Sequence, residues 1–196
     1  MYFSNLLLNI KDKYSIYLNE DEINKIKNKF TETSISKSEK ICSMNEIIDH
    51  LYFINSGIVR GYIIDGNSEK TTWFANEGDF FTNAFSFLTG LPSREEIEAL
   101  ENCSLYSIRK NDLDYLYLEI PKLNMLGRKI WEHYYIKLEN QMQSQKLKTV
   151  KLKYDKFILD HSEIFSRVKL SHIASYLGIT NETLSRIRGN YNGSKN

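Results

Sequence analysis

The feature that most constrains the fold is a series of short apolar runs between Ile35 and Ile108. The runs are rich in β-branched and aromatic residues, and turn clusters separate them at regular intervals. Examples are "HLYFINSG", "IVRGYIID", "EKTTWFA" and "CSLYSIRK". Strands spaced in this way predict a β-sandwich or barrel. The pair Asp65-Gly66 indicates a hairpin, because glycine accepts the positive φ that a primed turn requires.

One segment inside the β region, "DFFTNAFSFLTGLPSREE", breaks the strand alternation. It predicts a short helix or loop inserted between strands, and insertions of this kind often carry ligand contacts. A barrel interior lined by such aromatic residues is most often simple core. The candidate ligand pocket consists of Phe80, Phe81, Thr82, Asn83, Phe85, Phe87 and Arg94.

Helices are predicted on both sides of the β region. Before it, Ile23, Ile26 and Phe30 repeat at helical spacing behind an acidic first turn. After it, an uninterrupted segment from Pro121 to about Val150 would span ~45 Å as one helix. Its apolar residues step by three or four, which favours a dimerisation helix over a helix lying on its own barrel. These residues are Leu123, Leu126, Ile130, Tyr134 and Leu138.

A helix-turn-helix is predicted near the end of the chain, after a further helix from about Lys151 to Asp160. In "IASYLGITNETLSRIR", Gly178 suits the left-handed turn that ends a first helix. Ser171 is predicted to cap that first helix, and Thr180 to cap a second helix over 180–188. The alternative is a plain helical hairpin with a charged face.

The outer face of this second helix carries the side-chain types that read DNA. Arginine binds guanine through two acceptors, glutamate accepts from cytosine, asparagine pairs with adenine, and hydroxyls hold phosphates. From position 146 onward the net charge is +6, against −5 for the rest of the chain, a pattern found in nucleic-acid-binding proteins, although a basic run alone is more often just a solvated face. The candidate DNA-binding residues are Ser171, Thr180, Asn181, Glu182, Thr183, Ser185, Arg186 and Arg188.

Other classes of protein find little support in the sequence. Two distant cysteines and four scattered histidines suit neither an iron–sulfur cluster nor a haem or cupin metal site, so no metal is expected. No paired-carboxylate or Ser-His-Asp constellation stands out, so we expect no enzyme. The start of the chain lacks a secretory signal pattern, and no run approaches the ~20 apolar residues of a membrane span. A cytoplasmic protein that makes no membrane contact is therefore expected.

The layout as a whole resembles the Crp–Fnr family of bacterial transcription regulators, and most of all the branch common in Bacteroidetes-type bacteria. The residues that carry the resemblance are "YFINSGIVRGY", "WFANEGDFF", "PSREEIEALENCSLYSI" and "LGITNETLSRIR". The resemblance implies an α+β fold with a jelly-roll sensor domain like that of cyclic nucleotide-binding proteins (1–120). A long dimerisation helix with a hinge (121–150) and a small all-α helix-turn-helix domain (151–196) would follow.

The resemblance also implies roles for single residues. Glu182 and Arg186 match base-contacting positions, and Thr183 and Ser185 match backbone-contacting ones. Asn181 stands where studied members carry arginine, which implies a changed base preference. The last eight residues, "GNYNGSKN", leave no room for the β-hairpin wing of many members. Implied partners are double-stranded DNA, a second copy of the chain and, for an activator, RNA polymerase.

The same resemblance predicts that cyclic AMP is not the effector. Family members that bind it use a Gly-Glu pair and an arginine followed by small residues. Here the pair reads Thr82-Asn83, and Arg94 is followed by Glu95 and Glu96, which would repel a phosphate. No cofactor is expected, and an unknown small effector stays open. A ligand-sensing jelly roll that does not bind DNA is the alternative function.

Overall fold

The computed structural model describes residues 3–193 of the chain and alternates helical and β regions as predicted. The strands are β1 (Thr31–Ile35), β2 (Lys40–Cys42), β3 (His50–Ser56), β4 (Val59–Asp65), β5 (Ser68–Ala75), β6 (Phe80–Phe81), β7 (Glu96–Ala99) and β8 (Cys103–Arg109). The first helices are α1 (Phe3–Asp12), α2 (Glu20–Lys27), α3 (Ala84–Thr89), α4 (Lys110–Glu119) and α5 (Lys122–Gln145). They are followed by α6 (Val150–Asp160), α7 (Ser162–Phe165), α8 (Leu170–Leu177) and α9 (Asn181–Gly193).

The strands form two four-stranded sheets, which confirms the predicted jelly roll. The strand orders are β1-β8-β3-β6 and β2-β7-β4-β5. In the first sheet, β3 pairs with β8 in antiparallel register, with Leu51 opposite Ile108 and Phe53 opposite Tyr106. These four side chains lie on one face of the pleat and join the apolar core that the helices complete.

Local sequence signals explain several of the helix ends. Asn19 and Glu22 form a reciprocal capping box at the start of α2. The insert predicted between strands contains α3, which Asn83 caps by accepting a hydrogen bond from the Ser86 N–H at 2.8 Å.

The prediction of one helix from Pro121 to Val150 is wrong at its C-terminal end. The helix stops at Gln145, and the Thr149 hydroxyl caps a separate α6 by accepting from the Leu152 N–H at 3.2 Å.

The chain divides into two compact units. The first consists of the described residues up to Gly61 together with Phe74–Tyr135. The second consists of Tyr62–Trp73 together with the described residues from Ile136 onward. The tip of the β4–β5 hairpin therefore belongs with the C-terminal helices, which the sequence did not indicate.

Candidate nucleic-acid interface and ligand pocket

The predicted helix-turn-helix is present as α8, a tight turn and α9. Gly178 ends α8 with φ +68°, the left-handed conformation that glycine adopts without a steric penalty. The Ile179 N–H then donates to the Ala174 carbonyl at 3.0 Å, which closes the turn. The two helices bury Ile173, Ala174, Leu177 and Leu184 between them and the rest of the second unit. This geometry agrees with the predicted inner faces.

An aromatic cluster from α6 and α7 supports the helix pair. Phe157 is buried and packs its ring 5.4 Å from that of Tyr176 on α8. Tyr154 meets Phe165 edge to face at 5.9 Å. Because ring pairs in these arrangements add to the stabilisation from burial, the C-terminal helices have a core of their own.

The N-terminus of α9 presents polar side chains to solvent. The Thr180 hydroxyl accepts from the Thr183 N–H at 3.2 Å and thereby caps the helix as predicted. The side chains of Asn181, Glu182, Ser185 and Arg186 are exposed. Hydrogen bonds from its own backbone N–H and from the Thr180 hydroxyl lower the pKa of Glu182 below the ordinary glutamate value. A carboxylate, an amide and a guanidinium thus lie on one accessible helix end.

Three of the predicted DNA-binding residues have other local roles in the structure. Lys169, not Ser171, occupies the N-cap position of α8, so the predicted Ser171 cap is wrong. Ser171 is instead an exposed residue in the first turn of α8. The Arg188 guanidinium lies 5.5 Å from the centre of the Phe165 ring, which holds it against α7. The Thr183 hydroxyl is 3.1 Å from that of Thr180, so Thr183 takes part in the cap.

Ser175 is a positioning residue that sequence reasoning missed. Its hydroxyl donates to the Glu69 carbonyl at 2.8 Å and accepts from the Thr71 N–H at 2.9 Å. Gln141 of α5 donates its side-chain N–H to the Thr72 carbonyl. These bonds satisfy the backbone of β5, an edge strand. A serine on a helix surface gives no sequence signal for such a contact.

The hairpin and the C-terminal helices enclose a groove of about 1040 Å³. Its lining includes Thr180, Asn181 and Glu182 at the start of α9, and Lys70 of the hairpin. The candidate base-reading residues therefore border a groove wide enough to admit other groups.

The apolar residues of α5 divide between two faces, which corrects the predicted dimer seam. Leu123 and Leu126 are buried in the chain's own core, so these two residues are not free to contact a second copy, and the prediction that they lie in a dimer seam is wrong. Ile130 packs against the core but is only half-buried, so its place in a seam stays a prediction. Tyr134 and Leu138 are exposed by 37% and 41%.

A second set of apolar side chains follows another line along α5, which we call the exposed stripe. Its members are spaced by four, three and four residues, the spacing of a coiled-coil seam, and lie about 100° around the helix from the buried face. Three of them are exposed, and Trp131 is half-buried. The stripe consists of Trp131, Tyr135, Leu138 and Met142.

The candidate ligand pocket is brought together only in part. Phe80, Phe81, Thr82 and Phe87 line a mostly apolar cavity of about 140 Å³ in the first unit. The other lining residues, which the sequence did not indicate, are Leu51, Ala84, Leu88, Lys110, Leu113, Asp114, Tyr117, Gly127, Ile130, Trp131 and Tyr134. They come from elements far apart in the sequence, so no local pattern could have identified them.

Three predicted pocket residues lie outside this cavity. Asn83 is buried, where it caps α3 and donates to the Glu95 carboxylate at 3.2 Å. Arg94 is exposed, and its guanidinium lies 3.9 Å from the centre of the Phe85 ring. The arginine thus packs on an aromatic face at the surface and does not point into the cavity.

Two ion pairs place buried charges on strands of the jelly roll. Arg60 of β4 is only 2% exposed, and its Nε donates to Glu98 of β7 at 2.6 Å. Glu96 is also buried and accepts from Lys40 at 2.7 Å. Because a buried charge is costly without a partner, Glu98 offsets the charge of Arg60 and Lys40 offsets that of Glu96.

Burial raises the pKa of Cys42 to about 12 and that of Cys103 to about 11, so both thiols stay protonated.

The sequence also led us to expect no metal site, no membrane span and no β-hairpin wing. Within residues 3–193 no group of three or more potential metal ligands comes together. Across the same part of the chain, no helix is both long enough and apolar enough to cross a membrane. The expected absence of a wing rests on residues 189–196, and the last three of these lie outside the described residues.

Known proteins with related sequences or folds match most of the chain. Residues 32–119 match the family described as the cyclic nucleotide-binding domain. The Anaerobic regulatory protein of Haemophilus influenzae is 25% identical over 187 aligned residues, which cover 89% of this chain and 72% of that protein. FixK2 from Bradyrhizobium japonicum has a TM-score of 0.71 at 24% identity, covering 85% of this chain and 86% of its own. A CooA mutant from Carboxydothermus hydrogenoformans has a TM-score of 0.74 at 18% identity, and the match covers 97% of this chain and 85% of the CooA chain.

Proposed function

Because the chain belongs to the Crp–Fnr family of transcriptional regulators, we propose that it binds double-stranded DNA as a homodimer. Its relatives are regulators and not enzymes. In this proposal α9 of each protomer enters the major groove at one half-site of a two-half-site operator. The half-sites would lie one turn of duplex apart, ~34 Å. A regulator acting on DNA would work in the cytoplasm, with RNA polymerase as a further partner if it activates.

The observation that carries the proposal is the capped, exposed N-terminus of α9. Residues at this end of a recognition helix point at base edges. Glu182 and Arg186 lie one turn apart and are both exposed, which suits an acceptor for cytosine beside a donor for guanine. Asn181 precedes them and would pair with adenine. Leu184 between them is fully buried, so it anchors the helix while its neighbours face outward.

Selection from a random DNA library would test this function. The purified chain should enrich a sequence with two related half-sites, and its affinity should fall steeply with salt because bound phosphates release counterions. Enrichment of no sequence, with and without cell extract, would contradict the proposal and favour a ligand-sensing module that does not bind DNA.

The exposed stripe supports dimerisation through α5. Tyr135, Leu138 and Met142 are large apolar side chains in solvent contact, and their spacing is that of a helix–helix seam. Leu138→Asp would place a carboxylate in the seam and should convert the dimer to a monomer in light scattering. Leu118→Asp on α4 is the matched control, because Leu118 is 83% exposed and lies on another helix. A Leu138→Asp protein that stays dimeric would overturn the assignment of this face.

We also propose that the sensor domain does not respond to cyclic AMP. Arg94 packs on Phe85 at the surface, Asn83 is held by Glu95, and Glu96 is buried beside Lys40. The insert thus directs no guanidinium inward to neutralise a phosphate. Calorimetric titration with cyclic AMP and cyclic GMP should detect no binding, and micromolar affinity for either would contradict the proposal.

A further inference from the structure

We propose that the 140 Å³ cavity bounded by α3, α4, α5 and the β3–β6 strand pair is an effector site for an uncharged, single-ring aromatic molecule. The regulatory consequence of this site rests on the proposed function. The binding itself does not.

The size and lining of the cavity define the class of ligand. An apolar cavity of about 150 Å³ is large enough to accommodate one benzene ring. Here the volume is about 140 Å³, and apolar side chains form most of the wall. Six of the fifteen lining residues are aromatic, and their rings favour an aromatic guest through edge-to-face and offset contacts. The rings belong to Phe80, Phe81, Phe87, Tyr117, Trp131 and Tyr134.

The polar groups of the cavity argue for a neutral ligand. The Thr82 hydroxyl already donates to the His50 carbonyl at 2.7 Å. Burial raises the pKa of Tyr117 to about 12, so its phenol carries no charge at neutral pH. Lys110, which lines the cavity, is paired with Asp114 at 2.8 Å, and both side chains reach solvent. An anionic guest would have to displace Asp114 from Lys110, and a cationic guest would have to displace Lys110 from Asp114.

One glycine allows the cavity wall to form where α4 and α5 meet. A Cβ on Gly127 would lie 2.5 Å from the Tyr117 hydroxyl, closer than two such atoms can approach. The absence of a side chain at this position lets the hydroxyl end of Tyr117 approach the α5 backbone. A larger residue at position 127 would displace the Tyr117 side chain, which lines the cavity.

The cavity shares a residue with the exposed stripe of α5. Trp131 lines the cavity and is also the first member of the stripe. Its ring meets that of Tyr134 edge to face at 5.7 Å, and Tyr134 lines the cavity as well. A ring entering the cavity must contact one or both, so occupancy would bias the arrangement of α5 and hence of the dimer.

The fluorescence of Trp131 reports directly on binding. In the full chain carrying Trp73→Phe, Trp131 is the one remaining tryptophan. Titration with toluene should give a saturable change with a Kd of about 0.1 to 1 mM, as the small number of ligand atoms dictates. Phenol should behave similarly, and benzoate should bind more weakly because its charge is unpaired.

Variants of α3 supply the controls. Ala84 lines the cavity, so Ala84→Phe and the milder Ala84→Leu should fill it and abolish the saturable change while circular dichroism stays unaltered. Phe85→Leu is the matched control on the same helix, because Phe85 lies outside the cavity against Arg94. The site is overturned if toluene gives no saturable change, or if a folded Ala84 variant responds as the parent does.

A second measurement separates the site from its regulatory role. Toluene should shift the DNA affinity of the chain at the selected operator, and Ala84→Phe should remove that shift. A saturable fluorescence change without any shift in DNA affinity would overturn the coupling through Trp131. If the chain binds no DNA at all, the fluorescence result still decides whether the cavity binds an aromatic ring, and the failure then lies with the proposed function.

Discussion

The start of α3 and the start of α9 look alike in sequence but differ in what their polar groups do. A side chain caps each helix, Asn83 in one case and Thr180 in the other. At α3 the polar groups turn inward: Asn83 is buried and bonded to Glu95, and the buried Ser86 hydroxyl accepts from the Ile48 N–H at 2.8 Å. At α9 the polar side chains that follow the cap reach solvent. Polar composition alone therefore does not define a binding site.

The difference follows from what lies behind each helix. The α3 segment runs between strands of the jelly roll, so its polar atoms must find partners within the chain, because burying them unsatisfied is costly. The α9 segment needs only one buried row, which includes Leu184, and leaves the rest of its surface available. The polar groups of the α3 segment are used within the fold, whereas those of the α9 segment stay available for the proposed contacts with DNA.

The largest effect on stability is expected from truncating Leu184, the buried side chain that anchors α9. Leu184→Ala should destabilise the C-terminal helices by about 2–5 kcal/mol, because the side chain is fully buried and leaves a cavity. Hydrogen exchange of the α8 and α9 amides should quicken, and binding to every DNA sequence should weaken together. Leu159→Ala is the control, because Leu159 is 77% exposed on neighbouring α6. Equal loss of protection in both variants would contradict the anchoring role.

The next largest effect is on DNA affinity, and it separates Arg186 of α9 from Arg94 of the segment that follows α3. Arg186→Ala should cost about 1–3 kcal/mol of binding free energy at the selected operator and relax base preference at one position of each half-site. Arg94→Ala should leave DNA affinity unchanged, because that guanidinium packs on Phe85. Arg128→Ala, a surface arginine paired with Glu132 on α5, controls for the loss of one positive charge. Uniform weakening on all sequences would refute base reading by Arg186.

A smaller effect is expected on the free energy of unfolding when the cap of α3 or the cap of α9 is removed. Losing a cap costs about 0.5–2 kcal/mol, and we expect Asn83→Ala at the upper end of that range and Thr180→Ala at the lower end. Asn83 is buried, so its removal also leaves the Glu95 oxygen without that donor, whereas water replaces the exposed Thr180 hydroxyl. Chemical denaturation of each variant measures the free energy of unfolding. A larger loss for Thr180→Ala would reverse the comparison.

The sequence predicted the parts that depend on local signals. The turn residues and alternating runs indicated the two sheets, and Gly178 with Thr180 indicated α9 and its cap. The sequence misled at α5, because a repeat of three and four residues is the same whether the helix packs on its own barrel or on a partner. Leu123 and Leu126 fitted the pattern and proved to be core.

Other features could not be predicted because they depend on contacts between distant segments. Ser175 bonds to a hairpin more than 100 residues away in sequence. The cavity beside α3 collects side chains from Leu51 to Tyr134. The Ser171 cap failed for a different reason: a serine near a helix start is compatible with several cap positions, and the chain begins α8 at Leu170 with Lys169 before it.

The smallest expected effect is a pH dependence confined to α9. Hydrogen bonds from its own N–H and from Thr180 lower the pKa of Glu182 below the ordinary glutamate value of 4.5. A lowered pKa in the folded state means that the carboxylate stabilises α9 above the unfolded pKa and that this contribution disappears as pH falls through the folded pKa. In carbon-detected NMR titration, Thr180→Ala should raise the Glu182 pKa toward 4.5, and Thr180→Ser, which keeps the hydroxyl, should not. The same pKa in all three proteins would mean that the Thr180 hydroxyl does not hold the carboxylate. Glu182 would then be positioned by its own backbone alone, and the cap would have no part in presenting it to a base.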